Sequence, residues 1–241
     1  MSLHAAASPS SASMWIECPA SVTQAAGRTR PSSIWAKEGT AAHKVAEMII
    51  KGDMFPPEKI VVEGETFNVG VDMLRHLNRY VGYVQQSMEA GDVVHVEQRV
   101  EIVPGLVWGT ADAVVANQYV LTIADLKYGK GVPVDPDGPQ LKIYAIGGLK
   151  LVYPLVPQTI TLVIFQPRLD PEPKIVVLRH DELMEWAIKV LGPAVDRLQK
   201  NDPNEFAGPW CRWCVRQNEC KAFSQQKAYA AAHVFDAIDA A

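Results

Sequence analysis

A change in the spacing of apolar residues in the middle of the chain constrains the fold most. Residues 93–103 alternate polar and apolar side chains, as in a half-buried β-strand. The segments 106–116 and 119–127 continue the pattern, and short turns join the three segments. Because sequential strands with tight connections pair with one another, we expect an antiparallel meander of three strands.

Segments with helical spacing lie on both sides of this meander. We expect helices over 11–18, 32–50 and 69–90 before it, and over 140–151, 181–199 and 222–240 after it. Two further strands are expected over 159–166 and 174–178. The order helix, three strands, helix, strand predicts an α/β protein, an α+β mixed sheet with helices on its faces.

Composition limits the class of protein. The 241 residues are 48% hydrophobic and 21% charged, which suits a folded chain with a sizeable core and excludes a disordered or collagen-like one. No apolar run reaches the roughly 18 residues of a membrane span. With no secretory signal pattern at the start, we expect a cytoplasmic protein with no membrane partner. The net charge of −4 gives no global sign of a nucleic-acid partner.

Two acidic residues fall on neighbouring strands of the expected meander. Asp112 lies in the sequence G-T-A-D, and Asp125 ends the next strand in D-L-K. Side chains alternate between the faces of a strand, so Asp125 and Lys127 point to the same side. Two carboxylates and a lysine suit a hard divalent cation, Mg²⁺ or Mn²⁺, that activates a water molecule. The alternative is that these aspartates only form turns.

Further polar side chains fit such a site. His43 lies on an early helix, and imidazole is a good ligand for Mn²⁺, although a lone helix histidine is more often structural. Gln140 and Tyr144 are four residues apart and share a helix face, from which they can reach the end of the D-L-K strand or a phosphate. Glu97, on the first strand, could add a carboxylate, but we expect it to lie at the surface or outside the direct ligand set.

Over about residues 38–166 the chain resembles RecB-type nucleases of the PD-(D/E)XK superfamily. The motifs G-x-x-x-H, G-T-A-D, D-L-K and Q-x-x-x-Y, which contain the residues just named, occur in the family's order. One departure is Ala111, which stands before Asp112 where the family has proline. The acidic residue itself is kept.

The resemblance implies a restriction-endonuclease-like core and metal-dependent hydrolysis of DNA. The implied metal ligands are His43, Asp112, Asp125 and the Leu126 backbone carbonyl. The implied catalytic residues are Asp112, Asp125, Lys127, which serves the attacking water, and Gln140 and Tyr144, which orient the lysine and the DNA strand. Phage or prophage exonucleases of this superfamily resect DNA ends for recombination. The partners implied are therefore linear single- or double-stranded DNA and a recombination protein, with room for a homo-oligomer, in a bacterial host cell.

The four cysteines fall at the two ends of the chain. Cys211, Cys214 and Cys220 form C-x₂-C-x₅-C, and Cys18 stands alone near the N-terminus. Disulfides do not persist in the cytoplasm, and four thiolates suit an iron–sulfur cluster or structural Zn²⁺. Some RecB-type nucleases carry one cysteine before the core and three after it. The resemblance therefore favours a [4Fe–4S] cluster that joins the segments 11–20 and 208–222.

We expect one nuclease domain over 1–241, with its core at about 32–200. Two other functions stay open. The chain can be a non-catalytic or regulatory DNA-binding subunit of a recombination or defence complex. Alternatively, it is a zinc-stabilised interaction protein whose aspartates only form turns.

Overall fold

The computed structural model describes residues 5–25, 27–28, 30–52 and 55–233. These residues fall into two compact units, the first within Met1–Pro9 and Pro31–Glu185 and the second within Ser10–Arg30 and Trp186–Ala241. The expectation of a single nuclease domain stays a prediction. Within the described part of the chain, no helix is both long enough and apolar enough to cross a membrane.

Eight α-helices and seven strands lie in the described residues. The helices are α1 (Ala12–Trp15), α2 (Ala20–Thr23), α3 (Ile34–Ile50), α4 (Val71–Glu89), α5 (Pro139–Leu151), α6 (His180–Trp186), α7 (Gly192–Gln199) and α8 (Lys221–Ala232). The strands are β1 (Lys59–Val62), β2 (Glu65–Asn68), β3 (Val93–Val103), β4 (Val107–Ala116), β5 (Val120–Leu126), β6 (Thr159–Phe165) and β7 (Lys174–Arg179). Short 3-10 helices cover Pro9–Ser11 and Pro209–Trp213, and a π-helical turn covers Ala187–Leu191.

The long helices of the first unit are confirmed with ends shifted by a few residues. The side chain of Ser33 begins α3 by accepting a hydrogen bond from the Ala36 backbone N–H at 3.2 Å. The short helix expected over 11–18 is wrong in its extent. It ends at Trp15, and Pro19 precedes α2 because a proline fits the start of a helix better than its interior.

The main sheet has five strands in the order β3-β4-β5-β6-β7. The expected antiparallel meander is confirmed as β3, β4 and β5. β6 runs parallel to β5, because α5 returns the chain across the sheet before β6 begins. β7 pairs antiparallel with β6, so the sheet is mixed.

A second, two-stranded sheet was not expected. β1 and β2 form a hairpin whose turn is Glu63–Gly64. Both turn residues have positive φ, 46° and 79°, as a tight hairpin turn of the mirror-image type requires. Each strand has only four residues, too few for a clear alternation.

The helix expected over 181–199 is interrupted. Pro193 has no backbone N–H for the carbonyl four residues earlier, and the chain widens into the π-helical turn before α7 begins. The C-terminal helix is present as α8. The part expected over 234–240 lies outside the described residues.

Helices cover both faces of the main sheet. Side chains of α3 and α4 form one buried cluster with Ala113 and Ala124 of the central strands. Gly148 of α5 instead faces Val114 and Ile123. Val114 follows Ala113 in β4, and Ile123 precedes Ala124 in β5. Adjacent strand residues point to opposite faces, so α5 lies on the other face from α3 and α4.

Gly147 allows the close approach of α5 to β3. A Cβ added at Gly147 would lie 2.8 Å from the Val100 Cβ. We therefore expect Gly147→Ala to lower the free energy of unfolding by about 1–3 kcal/mol. Gly82→Ala in α4 is the control, because an added Cβ there meets no described atom within 4 Å beyond its own helix. Gly82→Ala should raise the free energy by about 0.5–1 kcal/mol. Urea unfolding measures both, and equal effects would contradict the close packing.

Candidate functional site

The middle of β4 and the end of β5 bring two buried aspartates together. The two strands pair as far as Ala113 and Ala124, and the next residues are Asp112 and Asp125. Asp112 Oδ2 accepts a hydrogen bond from the Leu126 backbone N–H at 2.7 Å. The two aspartates are only 7% and 1% exposed. Beyond the last backbone pair, the hydrogen bond from the Leu126 N–H to the Asp112 side chain connects the two strands.

His43 and Glu97 face Asp112. His43 Nδ1 of α3 lies 3.2 Å from Glu97 Oε1 and 3.5 Å from Asp112 Oδ1. The ligand atoms of these three residues all lie within 4.8 Å of one another. One imidazole and two carboxylates at this spacing form a candidate metal-binding triad.

Glu97 differs from the expectation of a place at the surface or outside the ligand set. The neighbouring pair Gln98–Ala111 places it opposite Asp112 in the sheet, and its side chain is 23% exposed. Its φ is 49°, a strained value for a non-glycine residue that is common at functional sites. The expected hairpin could have predicted this position of Glu97 from the sequence, because Glu97 and Asp112 are equally far from the turn at 104–105.

Lys127 and two side chains of α5 lie at Asp125. Lys127 Nζ forms an ion pair with Asp125 Oδ2 at 2.8 Å. Gln140 Nε2 donates a hydrogen bond to Asp125 Oδ1 at 3.1 Å, and the Gln140 side chain also hydrogen-bonds Tyr144. The structure thus brings these predicted residues together. Leu126 contributes its N–H to the site, while the role of its carbonyl as a ligand stays a prediction.

Two residues of the triad, His43 and Asp112, have strongly shifted pKa values. Burial lowers the pKa of His43, but Asp112 and the hydrogen-bonded Glu97 outweigh burial and raise the pKa to about 9. Burial raises the pKa of Asp112 to about 7 against the opposing charge of His43, and Asp125 adds to the rise. A proton on His43 therefore balances the carboxylates. A divalent cation would replace that proton, because metal ligation requires neutral imidazole and ionised carboxylate.

Lys127 keeps its proton near neutral pH. Burial lowers its pKa, but Asp125 and Asp112 outweigh burial and raise the pKa above the ordinary value. Burial, with the same two carboxylates, also raises the pKa of Tyr144. Both side chains therefore present hydrogen-bond donors to the site.

The second unit places its four cysteines around one small cavity. Cys18, Cys211, Cys214 and Cys220 are free, buried thiols, and all four line that cavity. Backbone N–H groups of Phe206, Gly208 and Phe223 donate to the sulfurs of Cys18, Cys211 and Cys220 at 3.4, 3.3 and 3.4 Å. Cys214 receives a backbone hydrogen bond from Arg216. Each sulfur thus has a backbone hydrogen-bond donor. In the chain without a bound metal, burial raises the pKa of the Cys214 and Cys220 thiols against these donors.

The fold and the site define a mixed α/β protein with a candidate metal-binding triad and four clustered cysteines. The chain belongs to the family described as "Protein of unknown function (DUF2800)", which matches residues 4–239. A solved structure entitled "Crystal structure of SSO0001" is similar at 13% identity, with 89% of this chain and 85% of that chain covered and a TM-score of 0.40. No functional argument follows from a likeness at that level.

The buried charge of Asp112 predicts a pH-dependent effect of Asp112→Asn in the metal-free protein. Because its folded-state pKa is raised, the contribution of Asp112 to stability is fully present below the unfolded pKa of about 4. That contribution is lost as pH rises through the folded pKa of about 7. Asparagine keeps an oxygen for the Leu126 N–H and carries no charge.

We expect Asp112→Asn to raise the free energy of unfolding at pH 8 by on the order of 1–3 kcal/mol, with little change at pH 4. Denaturant unfolding in EDTA at the two pH values measures the difference. A variant less stable than wild type at pH 8 would contradict this account of the buried charge.

Proposed function

We propose that the chain is a metal-dependent deoxyribonuclease of the RecB type, an exonuclease that acts on DNA ends in recombination. The observation that carries the proposal is the meeting of Asp112, Asp125 and Lys127 with His43 and Gln140. These side chains come from α3, β4, the end of β5 and α5, far apart in the chain, and they occupy the positions of four motifs that resemble those of RecB-type nucleases. The order helix, three strands, helix, strand in the first unit supports a restriction-endonuclease-like core.

His43, Asp112 and Glu97 would hold Mg²⁺ or Mn²⁺, with Asp125 beside them. Oxygen and imidazole donors suit these ions. The ligand atoms of the three residues lie within 4.8 Å of one another, which supports the fit. A bound divalent cation supplies Lewis acidity and lowers the pKa of a water molecule. Ligation by Asp125 and by the Leu126 carbonyl is proposed from the resemblance.

The other residues would orient the reacting groups. Lys127 is cationic and donates toward the water and the charge that develops on the phosphate oxygens. Gln140 holds Asp125 Oδ1, which leaves Oδ2 toward Lys127. In the hydrolysis, the water oxygen bonds to phosphorus and releases a proton to solvent. The bond from phosphorus to the leaving sugar oxygen breaks, and that oxygen takes up a proton.

A nuclease assay on labelled DNA tests the proposal. With Mg²⁺ or Mn²⁺, wild type should degrade linear DNA, and Asp125→Ala should lose at least about a hundredfold in rate because a metal-centred group is removed. Asp72→Asn is the control, because its side chain is 84% exposed on α4. Linear, closed circular and single-stranded substrates distinguish an exonuclease from an endonuclease.

Each other outcome of this assay has a clear reading. Undiminished degradation by Asp125→Ala would overturn the site. DNA binding without cleavage by wild type would favour a regulatory DNA-binding subunit. A zinc-loaded protein that does not bind DNA would favour the interaction protein.

We further propose that the four cysteines hold a [4Fe–4S] cluster rather than one zinc ion. All four buried cysteines line one cavity, and each sulfur accepts a backbone hydrogen bond. Four thiolates with such donors suit an iron–sulfur cluster, and the resemblance to RecB-type nucleases favours the cluster over zinc.

Anaerobically purified wild type should be brown, with a broad visible absorbance band and about four irons per chain. Cys214→Ser should lose most of this colour because a ligand is removed. Ser21→Ala is the control, since Ser21 lines the same cavity without a sulfur. Absorbance spectra with iron and zinc analysis check the prediction, and colourless wild type with stoichiometric zinc would contradict it.

A further inference from the structure

The two edges of the main sheet differ in their protection against pairing. β3 is the first strand of that sheet and β7 is the last. Edge strands that stay unpaired usually carry charged side chains or an irregular backbone. β3 has both, since Glu97, Arg99 and Glu101 are charged, Glu97 has positive φ, and the register shifts after Glu101. β7, whose six residues are all described, has neither between its ends.

β7 presents exposed apolar side chains at this unprotected edge. Lys174 and Arg179 enclose the four apolar residues I-V-V-L, which pair with β6 residue by residue. Ile175 and Val177 are 56% and 61% exposed. Because they are two residues apart on one strand, their side chains lie on the same side of the sheet.

Hydrogen bonds at the end of β7 show which of its backbone groups face outward. The His180 N–H donates to a carbonyl at the start of β6, at 2.9 Å. The Arg179 N–H instead donates to the Glu182 side chain at 2.8 Å. Successive residues of an edge strand direct their N–H and C=O groups alternately toward the neighbouring strand and away from it. The backbone groups of Ile175 and Val177 are therefore directed away from β6.

We propose that β7 pairs antiparallel with β7 of a second copy of this chain, so that two main sheets continue into one across a twofold axis. The outward groups of Ile175 and Val177 limit the register, because only residues with such groups can exchange hydrogen bonds. Pairing Ile175 with Val177 of the second copy uses both residues of each strand. It places Val176 opposite Val176 of the second copy, on the axis.

The chemistry of this edge favours a second copy as the partner. In the proposed register the exposed apolar pair of one copy meets that of the other, so four side chains leave water together. The strand ends also match in charge. Lys174 comes beside the end of the other β7, where Asp181 and Glu182 outnumber Arg179, with which they pair. Such a contact is the same on both copies and closes at a dimer.

Sedimentation velocity of the full chain at about 1–300 μM tests the proposal. One strand pair is a small interface, so we expect a monomer at the low end of this range and a dimer at the high end. Val177→Lys places a charge at the edge and should weaken dimerisation at least about tenfold. Val61→Lys is the matched control, because Val61 is 60% exposed on β1. It should dimerise as wild type does.

Wild type that stays monomeric over the whole range would overturn the proposal. Dimerisation of Val177→Lys at wild-type strength would do so too, since the contact would then lie elsewhere on the chain. Equal weakening by the two lysine variants would show an effect of charge in general and would also count against β7.

Cysteine cross-linking tests the register. Opposite residues of a pair without hydrogen bonds have Cα atoms about 4.5 Å apart, within the disulfide range of about 4.4–6.8 Å. Val176→Cys should therefore form a disulfide-linked dimer when oxidised glutathione accepts the two electrons. Val177→Cys would lie about 7–8 Å from its counterpart and should cross-link at least about tenfold more slowly. Wild type, with its four buried cysteines, gives the background. Equal rates for the two variants, or no dimer of Val176→Cys, would overturn the pairing.

Discussion

The hydrogen bond from the Leu126 N–H to the Asp112 carboxylate is the contact on which the candidate site depends. It forms where the backbone pairing of β4 and β5 ends, so the Asp112 side chain connects the two strands beyond that point. The other oxygen of Asp112 faces His43 on α3. A single buried carboxylate therefore contacts a helix and two strands, and it meets β5 at the residue between Asp125 and Lys127.

The same arrangement works against the stability of the metal-free chain. Glu97 and Asp112 stand opposite one another in the sheet, where like charges repel, and Glu97 has a left-handed backbone. The pKa values of His43 and Asp112 are both raised, so the site retains protons that an isolated side chain would release near neutral pH. Strain and charge that packing does not require are typical of a site shaped for a ligand.

The parts of the fold with a long, regular pattern could be predicted from the sequence, and the short or irregular parts could not. The alternation along β3, β4 and β5 and the spacing in α3 to α5 extend over enough residues to be unambiguous. The four-residue strands β1 and β2 give no such signal, although Gly64 marks their turn. Pro193 was the signal for the break between α6 and α7. A proline near the start of a helix and one inside a longer helix look alike in sequence.

The site divides in the same way. Residue type and spacing indicated Asp112, Asp125, Lys127 and His43 because their chemistry is distinctive. The position of Glu97 depends on strand register, which alternation alone does not determine.

The second unit poses a different physical problem. It is built from two chain segments that lie near opposite ends of the sequence, so holding them together opposes a large loop-closure entropy. Arg30 donates to the carbonyl of Cys214 at 2.8 Å, and Arg28 pairs with Glu219 at 2.7 Å on the surface. Exposed contacts of the latter kind contribute little. A group bound by Cys18 and the three later cysteines would join the segments through strong bonds, much as a structural metal couples binding to folding.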